Sequence, residues 1–398
     1  MAEQARATAG TIVLLTAISM LGQMSIAMYT PSLPSLAQAL GAQAGEVKLT
    51  MTVFLAAFAC AQLVWGPLSD RIGRRPALFA GIAVFLAGTA ICLFAQAIGV
   101  LIFGRFVQGL GACVGVTIAR AVVRDRFERA EGARALAFIG MAMAAGPALA
   151  PAIGGQLQIL YGWHAVFAAL ALFGAGVAIA AYARLEESNR RRDPLATDPA
   201  RMAGNFATLM RARVYLAYTA LASAFFAGLM AYATGLPFVL IDGFGMSPAV
   251  YGLVPSATVV GYFTGSAIAG RRAGVDSPRR LARIGACAAL AGAGILALVS
   301  SAGLEHPVTL VAPMIVFMFG FGLALPSALA AAMQPFARMA GAAAALQGFV
   351  QMATGALATL GVAAFADGTA ASMAFAILLA AGVVALAAWA APSEDKRA

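Results

Sequence analysis

Long apolar runs separated by short polar breaks organise this chain from end to end. Reading the breaks at charge clusters, proline and glycine yields twelve runs, at approximately 11–33, 47–68, 76–96, 98–119, 135–158, 163–183, 214–241, 249–270, 281–302, 307–330, 341–364 and 370–391. Each is close to the roughly 20 residues a helix needs to cross the hydrocarbon of a bilayer. The pattern predicts an all-α membrane protein with twelve transmembrane helices. The short gap near Gly99 is the weakest division in that series.

The charges test the division, because Lys and Arg collect in short loops on the cytoplasmic side. With both termini in the cytoplasm, every one of the 26 Lys and Arg falls on that side except Lys48 and Arg105. A shift by one span would destroy the alternation. The longest polar stretch contains Arg190, Arg191, Arg192, Asp193 and Asp198, and it divides the spans six and six. The expected domains are therefore an N-terminal six-helix bundle over 1–183, a cytoplasmic linker over 184–213 and a C-terminal six-helix bundle over 214–398. Such halves pack as pseudo-symmetric bundles around a site at mid-membrane. The segment from Met202 to Met210 is amphipathic and reads either as a surface helix or as a solvated linker.

Composition agrees with this reading. Hydrophobic residues make up 62% of the chain and charged ones 11%, whereas soluble domains carry roughly 25% charged residues. A formal charge of +10 would raise nucleic acid as a partner in a soluble protein. Here the arginines sit between apolar runs, as orientation signals, and no nucleic-acid partner is expected. Cys60, Cys92, Cys113 and Cys287 lie in apolar stretches without metal-ligand spacing, and His164 and His306 are far apart, so no metal or other cofactor is expected. The first apolar run leads into Tyr29-Thr30-Pro31 without a small-residue cleavage site, which argues against a removed signal peptide. Neither an enzyme's cluster of acids and bases nor a channel's repeated filter is visible.

Three motifs carry more than topology. Between spans two and three stands Gly66-Pro67-Leu68-Ser69-Asp70-Arg71-Ile72-Gly73-Arg74-Arg75-Pro76. Its glycines permit close helix approach and a tight turn, and Asp70 can cap a helix or pair with an arginine across the bundle interface. Span four holds Arg105 within Gly104-Arg105-Phe106-Val107-Gln108-Gly109, where an arginine is costly unless it faces a cavity or a partner. Span five reads Gly146-Pro147-Ala148-Leu149-Ala150-Pro151, and two prolines four residues apart remove two backbone donors.

These motifs resemble the major facilitator superfamily, and Arg120-Ala121-Val122-Val123-Arg124-Asp125 with Gly162-Trp163-His164 resembles its bicyclomycin/chloramphenicol-resistance (Bcr/CflA) drug exporters. The resemblance covers nearly the whole chain and is most specific in the first half. It implies a conformational latch in Gly66, Asp70, Arg71, Gly73 and Arg74. It implies coupling or gating roles for Arg105, Gln108, Gly146, Pro147 and Pro151, with the proton as coupling ion. A hydrogen bond from Arg105 to a backbone carbonyl of span one is the structural alternative. The function implied is export of small amphipathic drugs across a bacterial inner membrane by a monomer with lipids around it. A dedicated transporter of a sugar, purine or amino-acid derivative is the alternative.

One departure matters. The family usually carries an Asp two residues before the tyrosine of span one, where this chain has Ala27, and none of its 16 acidic residues falls at mid-membrane on the span map. Polar residues expected at the substrate cavity are Gln23, Tyr29, Arg105, Gln108, Tyr232, Thr258, Tyr262, Gln347 and Gln351, with Phe225, Phe226, Met314 and Met318 as an adaptable apolar wall. A neutral or weakly charged amphipathic compound suits such a site better than a strong cation.

Overall fold

The computed structural model describes residues 2–189, 192–365 and 369–392, and within them all side chains except those of 2–8, 129, 130, 133, 144, 147, 337 and 338. Among the described residues twelve helices are long and apolar enough to cross a membrane. They are α1 Ala2–Ala27, α2 Ala44–Ile72, α3 Arg74–Leu93, α4 Ile98–Arg126, α5 Arg129–Tyr161 and α6 His164–Arg184, followed by α7 Arg213–Pro237, α8 Val254–Arg272, α9 Pro278–Ser301, α10 Pro307–Met333, α11 Ala340–Ala364 and α12 Ala371–Ala390. Arg190, Arg191 and Asp367 lie outside the described residues.

Two boundaries differ from the sequence reading in ways that matter. Span one does not run unbroken to residue 33: α1 stops at Ala27, the chain turns through Thr30–Ser32, and a short helix follows at Leu33–Ala39. Pro31 has no N–H to donate to the Ala27 carbonyl, which instead accepts from the Thr30 hydroxyl at 3.0 Å, so the helical ladder breaks here. The last carbonyls of α1 are thereby released from helical partners. At the other end of the bundle, α4 runs on to Arg126 instead of stopping near 119, so Arg120 belongs to the helix and not to a loop.

Buried apolar side chains gather in two main clusters. One is drawn from residues 14–185, joined by Phe226, Met230, Phe238, Met352 and Ala356; the other is drawn from residues 209–391. On the outside, Leu172 and Ile179 of α6 and Leu379 and Leu386 of α12 are each more than 70% exposed, a surface that suits lipid and not water.

The clusters meet along two seams, α2 against α11 and α5 against α8. At the ends of these helices away from the arginine-rich loops, Thr52 bonds Thr359 at 2.8 Å and the Ser256 hydroxyl donates to the Ala148 carbonyl at 2.7 Å. Gly252 faces α5 so closely that a Cβ there would lie 2.5 Å from the Pro151 carbonyl oxygen and 2.9 Å from the Ala152 Cα. Only glycine permits that approach. The halves are thus sealed at the end remote from the basic loops. Between α6 and α7 a helix at Pro199–Met210 forms, opened by Asp198, whose carboxylate accepts from the Ala200 N–H at 3.2 Å.

Candidate transport site

Between the halves lies a cavity of about 310 Å³ lined by residues of both. Gln23, Thr30, Phe58 and Gln62 come from the first half, and Phe226, Tyr232, Tyr262 and Met318 from the second. Of the residues expected here, Gln23, Phe226, Tyr232, Thr258, Tyr262, Met318, Gln347 and Gln351 line it, and so does Pro151, which was expected to act in coupling. Gln347 donates to Gln351 at 3.1 Å, one helical turn on. The Tyr232 hydroxyl, in a residue only 3% exposed, has no hydrogen-bond partner among the described residues.

Other expectations are corrected by the packing. Tyr29 does not line the cavity: it is fully buried in the first half, bonded to Thr50 at 2.9 Å and tilted against Phe167. Phe225 is also turned away, stacked on Phe321 with ring centroids 5.0 Å apart and edge-on to Phe317. Met314 is buried within the second half. Phe321 itself reaches the wall, as do Tyr251, Met230 and Met352, which the sequence reading did not select. Helical spacing shows that a face is buried but not whether it faces its own bundle or the gap between bundles.

The largest omission is Arg120. It lines the cavity and is exposed to it, although its position beside Arg124 and Arg126 reads as a loop charge. Six residues before the end of α4, it stands about 9 Å inside the helix terminus. The signal that could have found it is the apolar stretch Ala121-Val122-Val123 beyond it, which carries the helix onward.

Arg105 is fully buried and, like the equally buried Gln108, does not line the cavity where it was expected. Its Nη1 donates to the Ser25 carbonyl at 3.1 Å and to Gln108 Oε1 at 2.5 Å, and Gln108 in turn donates to Thr89 at 2.9 Å. The guanidinium carbon lies 4.2 Å from the Phe54 ring centroid and 4.6 Å from that of Tyr29. No carboxylate among the described residues is paired with it. The charge is held by carbonyl and amide oxygens and two π faces, each a partial substitute for water. The Ser25 carbonyl is available because α1 ends two residues later. This is the bond to span one that the sequence reading set beside a gating role.

At the basic end, Arg74 is 4% exposed and sits between two carboxylates, Asp70 at 2.6 Å and Asp125 at 2.9 Å. The Asp70 partner lies within its own half and not across the bundle interface. Gly73 turns the chain with φ of 109°, a conformation that other residues rarely adopt. Gly66 is different: a Cβ there would meet only Thr117, at 3.8 Å, so no close approach depends on it. Gly146 is similar, with Gln23 and Met20 at 3.7 Å. Pro147 lies within α5, and its side chain is outside the described residues.

The linker closes over this turn. Glu187 accepts from the backbone N–H groups of Arg74 at 2.9 Å and Arg75 at 3.0 Å, at the start of α3. Asn189 donates to the Asp70 carbonyl at 2.9 Å, the Asp193 N–H donates to the same carbonyl at 3.1 Å, and Arg71 donates to Thr197 at 3.0 Å. Burial pushes the Glu187 carboxyl up, but the N–H groups of Asn189, Arg74 and Arg75 outweigh it and hold it below its ordinary value.

A cavity enclosed between two helical halves, sealed at one end, is the geometry of alternating access. Residues 15–359 match the family described as Major Facilitator Superfamily. The chain is 28% identical to multidrug resistance protein D of Escherichia coli over 83% of this chain and 82% of that protein. It is 29% identical to the bicyclomycin resistance protein homolog of Haemophilus influenzae over 63% of each. In fold it is similar to the crystal structure of a D-xylose-proton symporter, with a TM-score of 0.75 at 15% identity, covering 96% of both chains. On these grounds the chain belongs to the Major Facilitator Superfamily and is a multi-pass inner-membrane transporter, not an enzyme.

Proposed function

We propose that the protein exports small amphipathic compounds, of the chloramphenicol and bicyclomycin kind, in exchange for protons. The observation that carries this reading is the cavity wall: aromatic rings and methionines from both halves, with a few amides and hydroxyls among them. Such a wall binds by shape and apolar area and adapts to several ligands. The names of the relatives, a multidrug resistance protein and a bicyclomycin resistance homolog, point the same way.

In this reading the basic side is the cytoplasm, which holds both termini, and the seal at α2–α11 and α5–α8 closes the outer face. The two halves rock about the cavity as a monomer. The turn at Asp70, Arg71, Gly73 and Arg74, braced by Asp125, latches one of the end states. Proton exchange is supported by the Gly146, Pro147 and Pro151 sequence of α5, although among the described residues no Asp or Glu lines the cavity.

Accumulation of labelled chloramphenicol in cells expressing the protein, with and without a protonophore, tests this. Lower accumulation that the protonophore restores supports energised export. No change with chloramphenicol or bicyclomycin, alongside saturable uptake of a single metabolite, would replace the reading with a dedicated metabolite transporter.

A further inference from the structure

The charges that meet the cavity are unbalanced. Its wall contains one arginine, Arg120, and no Asp, Glu, Lys or His among the described residues. The neighbouring arginines of α4 are accounted for: Arg124 lies 3.9 Å from both Asp70 and Asp125, and Arg126 pairs with Glu186 at 3.3 Å. Arg105, about 22 Å along the same helix, is enclosed by Ser25, Gln108, Tyr29 and Phe54. Among the described residues Arg120 has neither an ion pair nor a hydrogen bond. A second unspent donor, the Tyr232 hydroxyl, lies on the same wall.

We infer that the cavity takes amphipathic monoanions, with the acid group on Arg120 and the apolar body against the aromatic wall. This deepens the exporter reading and rests on it. A guanidinium presents a planar fork of donors that matches a carboxylate or sulfonate oxygen pair. In a site shielded from bulk water that contact strengthens, and a cation of the same shape meets repulsion without any acid to offset it. Arg120 stands toward the basic end of α4 on the same cavity wall as Gly140 of α5 and Leu329 of α10, while Phe58, Phe226, Tyr262 and Phe321 supply the rings. An aromatic weak acid entering from the basic side would find both elements.

The same charge addresses the missing carboxylate at Ala27. A weak acid that crosses the lipid as HA and leaves through the protein as A⁻ carries one proton inward per cycle, with no titrating acid on the protein. The membrane potential alone, about 100 mV and negative inside, supports roughly a 50-fold outward gradient of a monoanion.

The test compares 2-naphthoate with 2-naphthamide, which share a ring system and differ in charge, on the purified full chain in detergent by calorimetric titration. Naphthoate should bind at least tenfold more tightly, and Arg120→Gln should bring the ratio near one. Arg120→Lys, which keeps the charge and loses the fork, should retain part of it. Arg124→Gln, one turn further and outside the cavity, should leave the ratio as it is. In proteoliposomes, entry of 2-naphthalenesulfonate should rise with a valinomycin-set potential, positive inside, in the absence of a pH gradient. Equal affinities in the wild-type chain, a preference that survives Arg120→Gln, or flux indifferent to potential would overturn the inference. If chloramphenicol binds while naphthoate shows no preference, the exporter reading stands and this inference falls; if none of the three binds, both fall.

Discussion

The Nη1 of Arg105 reaches the carbonyl of Ser25 at 3.1 Å and so joins the middle of α4 to the released end of α1. An arginine in the membrane reads first as chemistry, yet here its contacts are structural: carbonyl, amide and ring.

Arg105→Ala should leave the Ser25 carbonyl unpartnered and Gln108 half-satisfied in a dry interior. At about 1–3 kcal/mol for each of these two buried unsatisfied groups, the loss is about 2–6 kcal/mol. The variant should reach the membrane, melt several degrees lower in detergent and lose at least tenfold in transport. Arg105→Lys should recover little, because a compact ammonium lacks the planar face that the guanidinium lays against the Phe54 and Tyr29 rings. Transport near the wild-type rate by Arg105→Ala would sink this account.

Asp125 should matter more than Asp70. Both pair with Arg74, but the Asp125 side chain is 16% exposed and Asp70 41%, and exposed pairs contribute about 0–1 kcal/mol. Asp70→Asn should slow turnover severalfold, and Asp125→Asn should slow it more while also lowering the melting temperature. Turnover measured in proteoliposomes decides the order; a larger effect from Asp70 would point to a role beyond holding Arg74.

The linker's hold on the turn should release in acid. The folded-state carboxyl of Glu187 lies below its ordinary value, so its contribution is present above about pH 4.3 and is lost as pH falls through the lower folded value. A spin label at Ala196 should stay immobile from pH 7 down to the ordinary glutamate value of about pH 4.3 and loosen only as the pH falls below it. Glu187→Gln should loosen it at pH 7. A label equally mobile throughout would remove Glu187 from this role.

Gly252→Ala should block the sealed state, because its new Cβ has nowhere to go between α8 and the Pro151 carbonyl. The cavity should then open at the end remote from the basic loops, and a cysteine placed at Thr258 should react with a reagent added on that side. Transport should fall about tenfold. Unchanged reactivity at Thr258 would mean that α5 yields and the seal reforms.

The twelve spans were legible because each apolar run is long and each basic loop is marked by arginine. The turn after α2 was legible as well, since Gly73 and the surrounding charges stand in a fixed order. Arg120 was not, because a charge near a span end gives the same signal in a loop or on the last turns of a helix. Tyr29 and Phe225 were misplaced for a related reason: two buried faces of one helix look alike in periodicity, and only packing against Phe167 or Phe321 separates them. Pro31 could have warned that α1 would end early and free the carbonyl that Arg105 uses.

The bonds from Glu187, Asn189, Asp193 and Thr197 to the turn after α2 also change the mechanics of the joint between the halves. These four described linker residues are thereby bonded to the first bundle. What remains before α7 is chiefly the 12-residue helix Pro199–Met210, about 18 Å long. The two bundles are joined by a short strut and not by a slack rope, so the rocking proposed above would pass a push or pull from one to the other along that strut.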